Sequence, residues 1–329
     1  VGDTARKFTF YDLLLFLVEA AGHQWEGYRD GEQRMAGVGL RTVDHSTLSK
    51  KAKSVPFLVF KQLLGRMIKK CSRQVRRKLG IPKALLVVDS TKVTVGKGRL
   101  PWAPLSGSKA GIKLHVALLP ERREIYQVTE STGNSPDLHH CGSVLDSAYI
   151  LVADRAYVKL STFDSYMKQG QKFVIRLQDN THFHEPVQRE RKQAFGGTIT
   201  SDFTCLLGTQ AKRTQHAFRV VQLSGPHGEL VILATNLHWH SPEAIAQIYK
   251  QRWEIEVFFR WIKQHFNIKM LYGTTENAVY GQLYSALLLY VLLAFLFHQG
   301  QTFVHVTARL SFTEFHRLAG IGKLPVEWV

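Results

Sequence analysis

The chain has 329 residues, 45% of them hydrophobic, which suits two or three globular domains with a substantial core. Its 43 Lys and Arg against 26 Asp and Glu leave a net charge of +17, so the partner to expect is a polyanion, nucleic acid before an anionic membrane surface. Cys71, Cys141 and Cys205 are isolated, with no C-x-x-C pair, which argues against a zinc ribbon or a disulfide framework and fits a reducing cytosol.

Residues 1–80 read as a helical, basic region. The opening Val1-Gly2-Asp3-Thr4 lacks the pattern of a signal peptide, and the absence of an initiator Met predicts further residues upstream. Phe10, Leu13, Leu14, Phe16, Leu17 and Val18 form one apolar helical run; Phe57, Phe60, Leu63, Leu64 and Met67 form a second, with Pro56 interrupting before it. Between His45 and Val88 stand twelve Lys or Arg residues and no acid. Such a run is either a solvated helix face or a phosphate-contacting surface; its scale favours the second, with Lys50, Lys51 and Lys53 as candidate contacts. Short helices flanking a basic segment fit a helix-turn-helix-like reader and a plain helical cap on the core equally well.

The texture changes at Ile81-Pro82, where residues 81–177 read as an α/β block. The aliphatic run Ala84 to Val88 has the character of a buried strand and ends in Asp89-Ser90-Thr91. Ile112 to Leu119 and Glu124 to Thr129 predict a hairpin across residues 120–123, followed by a helix over Asp137 to Asp146. Tyr149 to Ala153 is a second buried strand, ending in Asp154; a helix over Ser161 to Lys168 and a strand over Phe173 to Leu177 complete the block. Residues 178–237 carry Gly196-Gly197, Gly208 and Gly225-Pro226 between short β-like runs at 198–207, 218–223 and 230–234, and read as a β-rich insertion. Ser241 as N-cap, Pro242 at the first helical position and Glu243 in the first turn then open a long helix, within a second core segment over 238–300. The most apolar stretch, Ala286 to Phe297, is shorter than the roughly 20 residues a bilayer requires and reads as a buried core helix, so no membrane is expected. Residues 301–329 form a C-terminal segment without a readable motif, and His139-His140 and His182-x-His184 read as surface histidines.

Two aspartates, Asp89 and Asp154, thus end predicted strands, where an open α/β sheet gathers its ligand-binding groups. Taken singly, each is as well explained by a turn or a helix N-cap. The long helix supplies the third acid. Tyr249, Arg252, Glu256 and Lys263 lie at offsets 0, 3, 7 and 14, within a face about 60° wide, and Arg260 joins them. An i, i+4 ion pair would explain Arg252 and Glu256 but not the continuation of the stripe away from Ile255, Phe258 and Ile262. Phosphodiester chemistry explains all of it: three carboxylates hold two divalent ions about 3.5–4 Å apart, and the cations and the phenol hold flanking phosphates.

The run Tyr249-x2-Arg252-x3-Glu256-x6-Lys263 resembles the Y-R-E-K signature of insertion-sequence transposases of the IS-four type, at all four positions and all three spacings. Asp89-Ser90-Thr91 resembles the first-acid motif of that family, and Asp154-Arg155-Ala156-Tyr157 its second, D-R-G-Y or D-R-x-Y. The acids stand in family order, and the resemblance covers about residues 84–300. It implies a ribonuclease H-like α/β fold: a mixed five-stranded sheet with helices, interrupted by the β-rich insertion. Asp89, Asp154 and Glu256 would hold two Mg2+ ions, with Mn2+ as an alternative. The implied activity is cut-and-paste transposition. Water attacks one strand, the freed 3′-OH cuts the other through a hairpin, and the reopened end joins target DNA. The implied partners are double-stranded DNA, as terminal inverted repeats and target, and a second copy of the chain assembled on that DNA, in a bacterial cytoplasm at the nucleoid. Tyr249, Arg252 and Lys263 would contact the DNA backbone, with Arg260, Lys109 and Lys113 as further DNA candidates, though the last two could merely edge the sheet. Trp239, ten residues before Tyr249, is the candidate for stacking on a flipped base; Phe303, Phe312 and Phe315 are candidates for dimerisation. The rival readings are a ribonuclease H-like nuclease without strand transfer and a domesticated DNA-binding protein; three intact acids argue against the latter.

Overall fold

The computed structural model describes residues 7–76, 85–137, 145–157, 159–189, 198–225, 228–301 and 309–328. Four helices come first: α1 (Phe10–Gly22), α2 (Tyr28–Arg34), α3 (His45–Ser54) and α4 (Phe57–Arg76). Their ends follow from local chemistry. Thr9 and Asp12 form a reciprocal capping box at the start of α1, Asp44 caps α3 through Ser46 N–H, and Pro56 separates α3 from α4.

The strands are β1 (Leu85–Gly96), β2 (Pro104–Ser106), β3 (Lys109–Leu119), β4 (Glu124–Thr132), β5 (Ile150–Ala153) and β6 (Lys172–Arg176). β4 pairs with β3 and β3 with β1, both antiparallel; β1 pairs with β5 and β5 with β6, both parallel. This is the expected mixed five-stranded sheet, in the order β4-β3-β1-β5-β6. Helix α5 (Leu160–Lys168) connects β5 to β6. The helix predicted over Asp137 to Asp146 falls largely outside the described residues.

The insertion adds four strands, β7 (Phe183–Gln188), β8 (Ile199–Leu207), β9 (Phe218–Ser224) and β10 (Leu230–Thr235). They do not form a separate sheet. β10 pairs antiparallel with β6, and β9, β8 and β7 follow outward, so one continuous ten-stranded sheet results. Strand β7 was not foreseen, because it contains Pro186 and an irregular register at residues 184–187. Both are tolerated because β7 is the edge strand.

Alternation decides which face each strand residue serves. Val87, Val93 and Val152 enter the larger core with the N-terminal helices, whereas Leu86, Val88, Leu151 and Ala153 enter the core under α5. The first face carries α6 (Pro242–Lys250), α7 (Trp253–His265) and α8 (Glu276–Gln301). Helix α8 is long and apolar enough to cross a bilayer, but 78% of its most apolar window is buried. The apolar stretch Ala286 to Phe297 lies in its second half, and the helix begins ten residues earlier, at Glu276. Helices α1, α3 and α4 pack around it from one side, and α9 (Phe312–Gly320) packs from another. The N-terminal region is therefore a helical cap on the core; Leu48 and Ala52 of α3 face inward, while Lys50 and Lys53 are exposed and Lys51 is half-buried.

Phe312 and Phe315, candidates for dimerisation, are buried within their own chain against Phe297 and, for Phe315, Trp328. Their aromatic surface is consumed intramolecularly. Phe303 lies outside the described residues.

Candidate active site

Strand register brings the first two acids together. Val88 pairs with Ala153 at the end of the parallel β1–β5 ladder, so the next residues, Asp89 and Asp154, leave side by side. Both share parity with Val87 and Val152 and therefore point to the face covered by α6 and α7. One detail differs from expectation. Asp154 does follow the end of β5, but Asp89 sits inside β1, which continues to Gly96 as a hairpin partner of β3. Only its parallel neighbour stops there.

The third acid approaches from above. The segment expected as one helix is two, α6 and α7, joined at Gln251-Arg252. At the joint the backbone bonds tighten to i, i+3: Gln251 N–H donates to Ile248, Arg252 to Tyr249, Glu254 to Gln251 and Ile255 to Arg252. A 3₁₀ turn eclipses residues three apart, and the Arg252 guanidinium accordingly lies 5.9 Å from the centre of the Tyr249 ring. Arg252 Nη2 donates to Glu256 Oε1 at 2.6 Å, and Nη1 stands 3.7 Å from Asp89 Oδ2. The Tyr249 hydroxyl donates to Asp154 Oδ1 at 3.4 Å. Three acids, an arginine and a tyrosine thus meet in one half-buried cluster.

Its electrostatics are those of crowded carboxylates. Burial pushes Asp89 up to about 6; Ser90 N–H and Arg252 oppose this, while Asp154 and Glu256 add to it. With the folded value above the unfolded one, Asp89 contributes stability that is lost as pH rises from about 4 through about 6. Burial, then the Asp154 charge, pushes Tyr249 up to about 12. Each strand acid has one oxygen engaged by the next residue: Ser90 N–H donates to Asp89 Oδ1 and Arg155 N–H to Asp154 Oδ1, both at 2.7 Å. Hard carboxylate oxygens of this kind suit Mg2+ or Mn2+. A second group, Glu32, Asp44 and His45, has ligand atoms within 4.8 Å of one another. That group has a structural explanation: Asp44 caps α3, and Glu32 accepts from the N–H and Nδ1 of His45.

The other sequence candidates scatter. Lys263 is half-buried on α7, and burial together with Lys269 lowers its pKa; Arg260 is exposed. Lys109 is exposed but pairs with Gly96, seven residues along β3 from the partner of Asp89, or about 24 Å. Lys113 is turned inward, only 5% exposed, and donates to Ser135 O and Asp137 Oδ1. Its charge is taken up by a network in which Ser90 Oγ also donates to Asp137. Trp239 is 99% exposed but follows β10, which runs antiparallel to β6 and so ends opposite the acids.

Two residues near the acids were missed. Arg176 follows Ile175, which pairs with Ala153, so Asp89, Asp154 and Arg176 form a row across three parallel strands. Its Nε is buried without a hydrogen-bond partner. Finding it requires the β5–β6 register, which no local pattern reveals. Trp253, 50% exposed, directly follows Arg252; its aromatic type beside the signature was the available signal.

The sheet order and the carboxylates on its helix-covered face define the ribonuclease H-like class. The solved piggyBac transposase synaptic complex with hairpin DNA shares the fold, at a TM-score of 0.52 and 13% identity over 97% of this chain and 71% of that one. The Transposase DDE domain family matches residues 81–292, and the chain belongs to it, with relatives of the IS-four type. It is 46% identical over 99% of its length to a probable transposase for insertion sequence element IS5377 of Geobacillus stearothermophilus, covering 86% of that protein. A putative transposase for insertion sequence element IS4SA of Synechocystis is 25% identical over 78% of this chain and 72% of its own length.

Proposed function

We propose that this transposase excises and inserts a DNA element by metal-dependent hydrolysis and strand transfer at Asp89, Asp154 and Glu256. The observation carrying this reading is the convergence of the three acids through the β1–β5 register and the Arg252–Glu256 contact. The carboxylates would hold two Mg2+ ions, which supply the Lewis acidity for phosphodiester attack. The chain's own groups position the DNA: Tyr249, Arg252 and Arg176 on backbone phosphates beside the acids, Lys263 and Arg260 further along α7, and Trp253 on an extruded base. Trp239 and Lys109 would meet DNA only outside the catalytic cluster. The assembly is a homodimer on paired element ends, acting in a bacterial cytoplasm at the nucleoid.

The test is an end-labelled duplex carrying the element's terminal repeat, incubated with Mg2+ and a target plasmid, with nicked, hairpin, blunt and joined products followed in time. Joined product is expected; cleavage without joining would leave a nuclease. The same assay addresses Lys263. A hairpin requires a nucleotide pulled from the stack, costing a few kcal/mol, whereas a first nick does not. Lys263→Ala is therefore expected to accumulate nicked DNA with little hairpin. Equal slowing of both steps would reduce Lys263 to a general binding residue.

The outer face of α3 supports a second, electrostatic contact. Replacing Lys50, Lys51 and Lys53 together with Ala should flatten the log–log salt dependence of DNA affinity by about two to three units. An unchanged slope would place the phosphate footprint elsewhere.

A further inference from the structure

Two arginines in this fold are used in opposite ways. Arg219, 2% exposed, is saturated: Nε and Nη2 donate to the two oxygens of Asp202, and Nη1 donates to the carbonyls of Leu237 and His240. Arg252 is not. Its Nη2 holds Glu256, its Nη1 stands 3.7 Å from Asp89, and its Nε is buried with no hydrogen-bond partner. A buried donor left without a partner costs about 1–3 kcal/mol, which an acceptor brought to Nε would recover. Arg252 also faces the oxygen of Asp89 that matters. Oδ1 is engaged by Ser90 N–H, and the remaining oxygen, Oδ2, is the one toward the guanidinium.

Resting on the metal-site reading above, we propose that Arg252 is a resident counter-cation that competes with divalent metal for Asp89 and Glu256. DNA phosphate then relieves that competition by drawing the guanidinium off. The same carboxylate oxygens cannot bind a guanidinium closely and a metal ion fully. A phosphate offers the fork a bidentate acceptor with no buried donor left over. Because one side chain serves both partners, DNA and metal binding are positively coupled, and by linkage the coupling is reciprocal. The arrangement keeps the cutting site poorly charged with metal away from DNA.

The test is Mn2+ binding, read by electron paramagnetic resonance at about pH 8, where Asp89 is ionised. It is run with and without a short random-sequence duplex, against a DNA-only blank. Without DNA, Arg252→Gln is expected to bind Mn2+ at least about fivefold more tightly than the unaltered protein. With DNA, the unaltered protein should tighten and Arg252→Gln should hardly change. Equal or weaker Mn2+ binding by Arg252→Gln without DNA overturns the proposal. Should that variant not melt cooperatively, Arg252→Lys decides: its charge should keep Mn2+ binding without DNA weak, while loss of the fork should shrink the tightening by DNA, and tightening equal to that of the unaltered protein then overturns the proposal. Glu256→Gln is the control for the underlying reading: if it leaves Mn2+ binding unchanged, the metal site itself is wrong and the competition falls with it.

Discussion

Replacing Asp89, Asp154 or Glu256 singly with Ala is expected to reduce Mg2+-dependent cleavage of an element-end duplex at least about a thousandfold, because the metal ions supply several kcal/mol of transition-state stabilisation. DNA binding should survive, since the cations proposed to hold phosphate are left in place. The three variants should not behave alike in stability. Asp89 is an anion whose burial is unfavourable at neutral pH, so Asp89→Asn should melt no lower than the unaltered protein above about pH 6. Glu256→Ala frees Arg252 from its short contact and should melt lower. A cleavage rate near that of the unaltered protein in any one Ala variant removes that residue from the metal site.

The second large effect is structural. Asp202 and Arg219 are both 2% exposed and joined by two bonds of 2.7 and 2.8 Å, so removing Arg219 leaves Asp202 buried with only the longer 3.8 Å contact to Arg189. Arg219→Met is expected to cost about 3–5 kcal/mol in urea unfolding. Asp202→Ala should cost less, because Arg219 keeps its bonds to the carbonyls of Leu237 and His240. Those carbonyls belong to the turn that launches α6 and, at its end, Tyr249, so Arg219→Met should also weaken cleavage through a misplaced helix. The double variant should recover part of the loss. Full additivity of the two single effects would mean that the pair is not coupled.

The strands that carry the two aspartates and the signature are legible because each announces itself locally. An aliphatic run stops at Asp154, and Tyr249, Arg252, Glu256 and Lys263 keep helical spacing across the joint. The joint itself was invisible, since Gln251 and Arg252 are ordinary helix formers and the bond pattern shifts by only one residue. β1 was cut short at Asp89 although Val93 and Val95 continue an alternating pattern, because the aliphatic signal had ended. The inward turn of Lys113 and the row that includes Arg176 depend on pairing with distant strands, information that no window of sequence holds. That the insertion extends the core sheet, rather than forming its own, was likewise a matter of β10 choosing β6 as partner.

Helix α8 carries a consequence for the making of the protein. It is sheathed from both ends of the chain, by α1, α3 and α4 before it in sequence and by α9 and the Val326–Trp328 turn after it. On a ribosome the last pieces of that sheath emerge after the helix. Until Phe312, Phe315 and Trp328 arrive to cover Phe297, a 26-residue apolar rod is presented to the cell with part of its flank bare. To the machinery that sorts nascent chains, such a rod has the length and hydropathy of a membrane anchor. A released chain cut near residue 309 would therefore keep bare an apolar flank that the finished protein conceals, and truncations beyond α8 should be the ones that misroute or aggregate.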